Sequence, residues 1–171
     1  MPFETNLIRN VSNHYGPRLT DSRFGGRIEN ELVKSVQWSF NHTQVGTALG
    51  SVQCGVGALE YSIPANSTIL SATLQIITAF TSTSTLTDLN IGLEQADGTD
   101  ISLSGLITAA QANQTAIAVV GSVILGSSGT PAALIGLTIG AANGELIVQA
   151  STADLLTGRA RLIVTYIRSG L

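Results

Sequence analysis

The chain has 171 residues, a net charge of −3, and only 11% charged residues with a mean hydropathy of +0.33. A typical soluble domain carries about 25% charged residues, so this is either a membrane protein or one with much of its surface covered by other protein. From Ser35 to Gly158 there is no Lys or Arg, which excludes a phosphate-gripping nucleic-acid binder over that span.

Residues 1–34 read as an N-terminal arm and 35–171 as one β body. The arm holds Arg9, Arg18, Arg23, Arg27 and Lys34 against Glu4, Asp21, Glu29 and Glu31. Its Gly, Pro, Asn and isolated aromatics show no sustained period. Its first twenty residues contain no apolar h-region, so no secretory signal is expected. Tyr15, Arg18, Arg23, Phe24 and Arg27 are the types enriched where protein surfaces meet, and they are the anchoring candidates. The plainer alternative is an arm folded back on its own body.

The body reads as strands. Val36, Trp38 and Phe40 alternate with Ser35, Gln37 and Ser39; Leu59, Tyr61 and Ile63 alternate with Ala58, Glu60 and Ser62. Cys54 is the only cysteine, so no intrachain disulfide or cysteine zinc cluster can form; it reads as a small buried side chain. Pro64 and Asn66 mark a turn. Next, Leu70, Ala72, Leu74, Ile76, Thr78 and Phe80 fall on one face of an extended chain, and Ser71, Thr73, Gln75 and Ile77 on the other. Period two with Thr-rich, β-branched content means a strand, not a membrane helix.

Further on, "TSTST" is a polar turn, and Leu89, Ile91 and Leu93 alternate with Asp88, Asn90 and Gly92. Asp97-Gly98 centres a hairpin turn. "GLITAAQANQTA" (105–116) reads as a loop that can hold one helical turn. "AIAVVGSVIL" (116–125) and "ALIGLTIG" (133–140) read as apolar strands. Asn143-Gly144 reads as a hairpin into "ELIVQAS", and the last strand is 160–167. About eight short strands with turns every eight to twelve residues predict an all-β sandwich, most naturally a jelly roll.

No catalytic pattern emerges. Lys34 lacks the preceding glycine of a P-loop, "GSSG" is one residue short of a nucleophile elbow, and His14 and His42 have no metal-binding frame. Glu94, Asp97 and Asp100 are read as capping and solvating a hairpin, not as a glycosidase pair or calcium loop. No enzyme activity, metal or cofactor is expected.

"YSIPANSTILSATLQIITAFTSTSTLTDLNIGLEQADGTD", with the closing "STADLLTGRARLIVTYI" and the leading "HYGPRLTDSRFGG", resembles strand-and-turn segments of tailed-bacteriophage virion structural proteins. The resemblance implies a capsid decoration (cement) protein with a jelly-roll body on the capsid exterior, made in the host cytoplasm. It implies a homo-oligomer, a trimer foremost, bound to the major capsid protein through its arm; the cation-free body and the strand periodicity already argue against a nucleic-acid or membrane partner. Relatives with this body also occur in tails and fibres, so the alternative is a module that binds a host surface glycan. A bacterial surface or assembly protein is the third reading.

Overall fold

Where apolar and polar residues alternate, each strand offers one side to an interior and the other to solvent. The computed structural model describes residues 33–45, 62–84, 87–128 and 133–168, and the backbone of 51–54. They form β1 (Val33–Asn41), β2 (Ser51–Cys54), β3 (Ser67–Ser82), β4 (Leu89–Glu94), β5 (Asp100–Ile107), α1 (Gln114–Ile117), β6 (Val123–Leu125), β7 (Glu145–Ala150) and β8 (Leu155–Arg168).

Two four-stranded sheets result, in the orders β1-β8-β3-β6 and β2-β7-β4-β5. Every registered pair is antiparallel. The first strand pairs with the last, the second with the seventh, the third with the sixth and the fourth with the fifth. That is one long hairpin rolled over onto itself, the jelly roll. The all-β sandwich of eight strands is therefore what the residues build.

The inner faces supply the core. Val36, Trp38, Phe40, Leu74, Ile76, Leu162 and Val164 from one sheet meet Leu89, Ile91, Leu93, Leu146 and Val148 from the other, all buried. Phe40 and Phe80 lie with ring centroids 6.3 Å apart and planes tilted by 32°. Such tilted aromatic pairs add about 0.5–1.5 kcal/mol beyond their burial.

β3 departs from simple alternation. Its register against β8 shifts between Ile69 and Ser71 and again between Ile76 and Thr78. A bulge inserts a residue and flips the facing of the residues beyond it. Ile69 is consequently fully buried while Leu70 is 40% exposed. Thr78 is exposed as well. The expectation that Leu70 and Thr78 share the inner face with Ala72, Leu74, Ile76 and Phe80 is corrected on this point.

Several boundaries also differ from the sequence reading. Of the apolar run 116–125, only Val123–Leu125 is strand. The Asn113 side chain accepts a hydrogen bond from Ala116 N (3.1 Å) and caps the single turn α1, and Gly121 turns the chain at φ 82°. The helical turn expected between 105 and 116 thus exists at its far end, whereas Gly105–Ile107 belong to β5.

Residues 133–140 do not form a regular strand. Gly136 has φ 85°, and Leu137 N–H bonds Leu134 O in a turn. Asn143-Gly144 is not a strand-to-strand hairpin either. Gly144 exchanges two 2.8 Å backbone bonds with Ile63, and Asn143 Oδ1 accepts from Ala65 N (2.9 Å). The pair thereby pins the turn that leads into β3. β8 begins at Leu155, earlier than the Thr-Gly-Arg entrance implied. β2, which pairs with β7, is a strand the sequence reading did not name. The expected strand around Leu59 and Tyr61 lies outside the described residues.

Candidate functional site

The five anchoring candidates Tyr15, Arg18, Arg23, Phe24 and Arg27, and His14, lie outside the described residues. So does the side chain of Cys54. His42 sits in the turn after β1, half-buried, its N–H bonded to Gly158 O at 3.0 Å.

The acidic candidates separate. Asp97 is exposed in the β4–β5 turn and its Oδ1 accepts from Thr99 N (2.9 Å). Those bonds from Thr99 hold its carboxyl below the ordinary carboxylate range. Glu94 is instead buried, which corrects its assignment as a solvated hairpin residue. It is registered against Glu145 on one side and Asp100 on the other. The three carboxylates are neighbours along one row of one sheet, not partners across a cleft. Among the described residues, no three His, Cys, Asp or Glu side chains gather as a metal site, and no helix is long and apolar enough to cross a membrane.

The distinctive surface is the β6 edge. Ile76 N–H bonds Ser122 O and Gly126 N–H bonds Ala72 O, each at 2.9 Å. This alternation turns the backbone of Ile124 toward β3 and that of Val123 and Leu125 away from it. Ile124 packs inward, while Val123 and Leu125 are 58% and 64% exposed. Further along, residues 136–139 continue the same border, with Gly136 N–H on Ile69 O (2.8 Å), Ile69 N–H on Leu137 O (3.0 Å) and Ile139 N–H on Ser67 O (2.9 Å).

Eight large aliphatic side chains are exposed among the described residues: Val33, Leu70, Val119, Val120, Val123, Leu125, Leu137 and Leu156. All but Val33 and Leu156 lie along this border. Val119 and Val120 stand in the turn before β6, Val123 and Leu125 in the middle, and Leu70 with Leu137 beyond. From the level of Gln75, opposite Val123, to that of Thr68, opposite Thr138, the ridge runs for about 23 Å at roughly 3.3 Å per residue.

Sheet edges in soluble proteins are ordinarily guarded by charges, Lys above all. Here no Asp, Glu, Lys, Arg or His occurs between Ile101 and Gly144. One guard is present. Gln111 Nε2 donates to Leu125 O (2.8 Å), an outward carbonyl of β6, and Gln111 Oε1 is itself held by Thr108 N (2.9 Å) and Oγ1 (3.1 Å).

The outer face beside this ridge is mainly polar, and its charges are the cations Arg159 and Arg161 of β8. Two register rows cross it, Gln37–Ile163–Thr73–Leu125 and Ser39–Arg161–Gln75–Val123. Lys34, Arg159, Arg161 and Arg168 are all the cations beyond position 32, and each belongs to β1 or β8. The carboxylates Glu94, Asp100 and Glu145 belong to the other sheet. The two sheets thus carry opposite charge. The sequence reading did not identify this ridge; its apolar residues were visible, but as members of apolar strands.

No known family pattern matches the chain, and no curated protein matches it in sequence. Its fold does have counterparts among solved structures. A chain of the cyanophage Pam1 capsid asymmetric unit superposes with a TM-score of 0.59 at 17% identity, over 92% of this chain and 96% of that one. A chain of the capsid of Ralstonia phage GP4 gives 0.56 at 15% identity, over 85% of this chain and 91% of that one. At such identities the likeness is one of fold, and it extends over almost the whole of each chain: this protein is a jelly roll of the kind present in those two phage capsids.

Proposed function

We propose that the protein is a non-enzymatic structural component of a phage virion: a decoration (cement) protein that forms a homotrimer and binds the major capsid protein on the head exterior. The observation that carries this reading is the extent of the likeness. It takes up 96% and 91% of the capsid chains as well as nearly all of this one, so each counterpart is itself a single small jelly roll of similar length.

The apolar, charge-free β6 border supports the same reading. Obligate contacts bury roughly 2,000–5,000 Å² or more and resemble a core cut in half, which suits a chain with 11% charged residues. In this reading the residues before β1, 1–32, are the tether, since Val33 and Lys34 of the expected 1–34 arm already belong to the sheet. Arg18, Arg23 and Arg27 pair with capsid carboxylates, and Tyr15 and Phe24 fill apolar pockets, the kinds of contact that dominate interface energies.

The test is a reconstitution with phage heads stripped of decoration. Full-length protein should saturate the heads and raise their melting temperature, while a version lacking residues 1–30 should remain folded by circular dichroism and fail to bind. Unaltered binding of the truncated protein would remove the arm from the mechanism. Full-length protein that ignores heads but binds host-cell glycans would make this a tail or fibre module instead.

A further inference from the structure

We infer that the β6 ridge is the surface through which copies of this chain meet one another, with Val120, Val123, Leu125 and Leu137 at the centre of the contact. The inference deepens the oligomer part of the proposed function and rests on it, but its test does not involve phage heads.

Three observations lead to a second copy as the occupant. The first is area. Six aliphatic residues at 40–64% exposure present together on the order of 500–600 Å² of accessible surface, backbone included. That is at the top of the range for the largest patch on a lone monomer, about 300–600 Å². It approaches the ~800 Å² per partner of a standard stable interface before the flanking Thr73 and Thr138 are included.

The second is charge. Residues nearest the symmetry axis of a closed oligomer, two-fold or three-fold, face their own counterparts, so the patch at the axis cannot hold like charges. The carboxylate row Glu145–Glu94–Asp100 fails that condition, as does the face centred on Arg159 and Arg161. The ridge meets it, because the chain from Ile101 to Gly144 carries no charge of either sign. Among the described surfaces it is the one that is both large and self-compatible.

The third is the guarded backbone. Gln111 occupies Leu125 O, so an incoming strand cannot complete its ladder along β6. Strand addition is hindered at that carbonyl, which favours side-chain packing as the mode of contact. A closed oligomer arises more readily from such an edge than a fibre does.

The experiment is mass measurement by light scattering on the purified full-length protein, without particles, alongside the double variant Val123→Asp/Leu125→Asp. The wild type should run as a multiple of 17.7 kDa. The variant should associate about 100-fold more weakly or worse, which corresponds to losing two tenfold steps of affinity at a central contact. It should run as the monomer with an unchanged circular dichroism spectrum. If the aspartates lower the melting temperature, the pair Val123→Thr/Leu125→Thr is to be read in the same way.

Gln37→Glu, on the exposed face of β1, should leave the mass unchanged. A monomeric wild type, or an oligomer that survives both substitutions on the ridge, overturns the inference. Either result leaves head binding to be judged by its own assay.

Discussion

Gly158 is a position where one added methyl group should be felt by the whole fold. It lies inside β8 with φ 130°, and a Cβ there would stand 2.0 Å from Cδ1, 2.3 Å from Cγ and 2.5 Å from Cε1 of Phe80. Ordinary contact begins near 3.4 Å, so the ring must withdraw by more than an ångström. It has little room to do so, being fully buried beside Phe40.

Gly158→Ala therefore combines backbone strain of about 1–3 kcal/mol with an overpacking cost of about 1–3 kcal/mol. The total, about 2–6 kcal/mol, is a large share of the ~5–15 kcal/mol that holds a domain folded. In a domain of this size it lowers the melting midpoint by roughly 4–24 °C. Urea unfolding at fixed protein concentration measures it, since association also contributes to apparent stability.

A double-mutant cycle with Phe80→Ala separates the two causes. Phe80→Ala alone should cost about 3–5 kcal/mol. In its presence the methyl group added at position 158 enters the vacated space, so the double variant should be about 1–3 kcal/mol more stable than additivity requires. Strict additivity would mean that the ring does not constrain position 158, and the packing argument would fail.

Gln111→Ala should cost only about 0.5–1.5 kcal/mol in stability but should free Leu125 O. Faster formation of thioflavin-positive aggregates is expected, and an unchanged rate would deny Gln111 its guarding role. Tyr166 is buried, and burial raises its phenol above the ordinary value of 10.0, with Arg168 opposing. The folded state thus favours the protonated phenol. That contribution is complete below pH 10 and is lost as pH rises through the folded value, so Tyr166→Phe should flatten the alkaline limb of stability against pH. An identical limb in both proteins would count against the burial of Tyr166.

Where one face of a strand is buried and the other wet, the fold was legible from residue order. Val36, Trp38 and Phe40, then Leu89, Ile91 and Leu93, announce inner faces because a period of two leaves them no other common side. The anchoring arm was legible only as a composition, and its five anchoring candidates lie outside the described residues. In β3 the reading failed at Leu70 and Thr78, since bulges arise from pairing with β8 and leave no mark in the alternation of β3 itself. It failed again at 116–125 and 133–140, where uninterrupted apolar runs carry no period. There the backbone followed the Asn113 cap and the turns at Gly121 and Gly136.

Residue order and composition were enough to establish an all-β sandwich poor in charge, with a long stretch free of ionisable groups. Those properties come from local alternation and from residue counts, which need no partner strand to be seen. That Val119, Val120, Val123, Leu125 and Leu137 face outward was settled by the packed fold alone. Apolarity is a property of the side chain, whereas exposure depends on which strand is last in its sheet. The sheet order β1-β8-β3-β6 leaves those residues at the border, with nothing of the described chain beyond them.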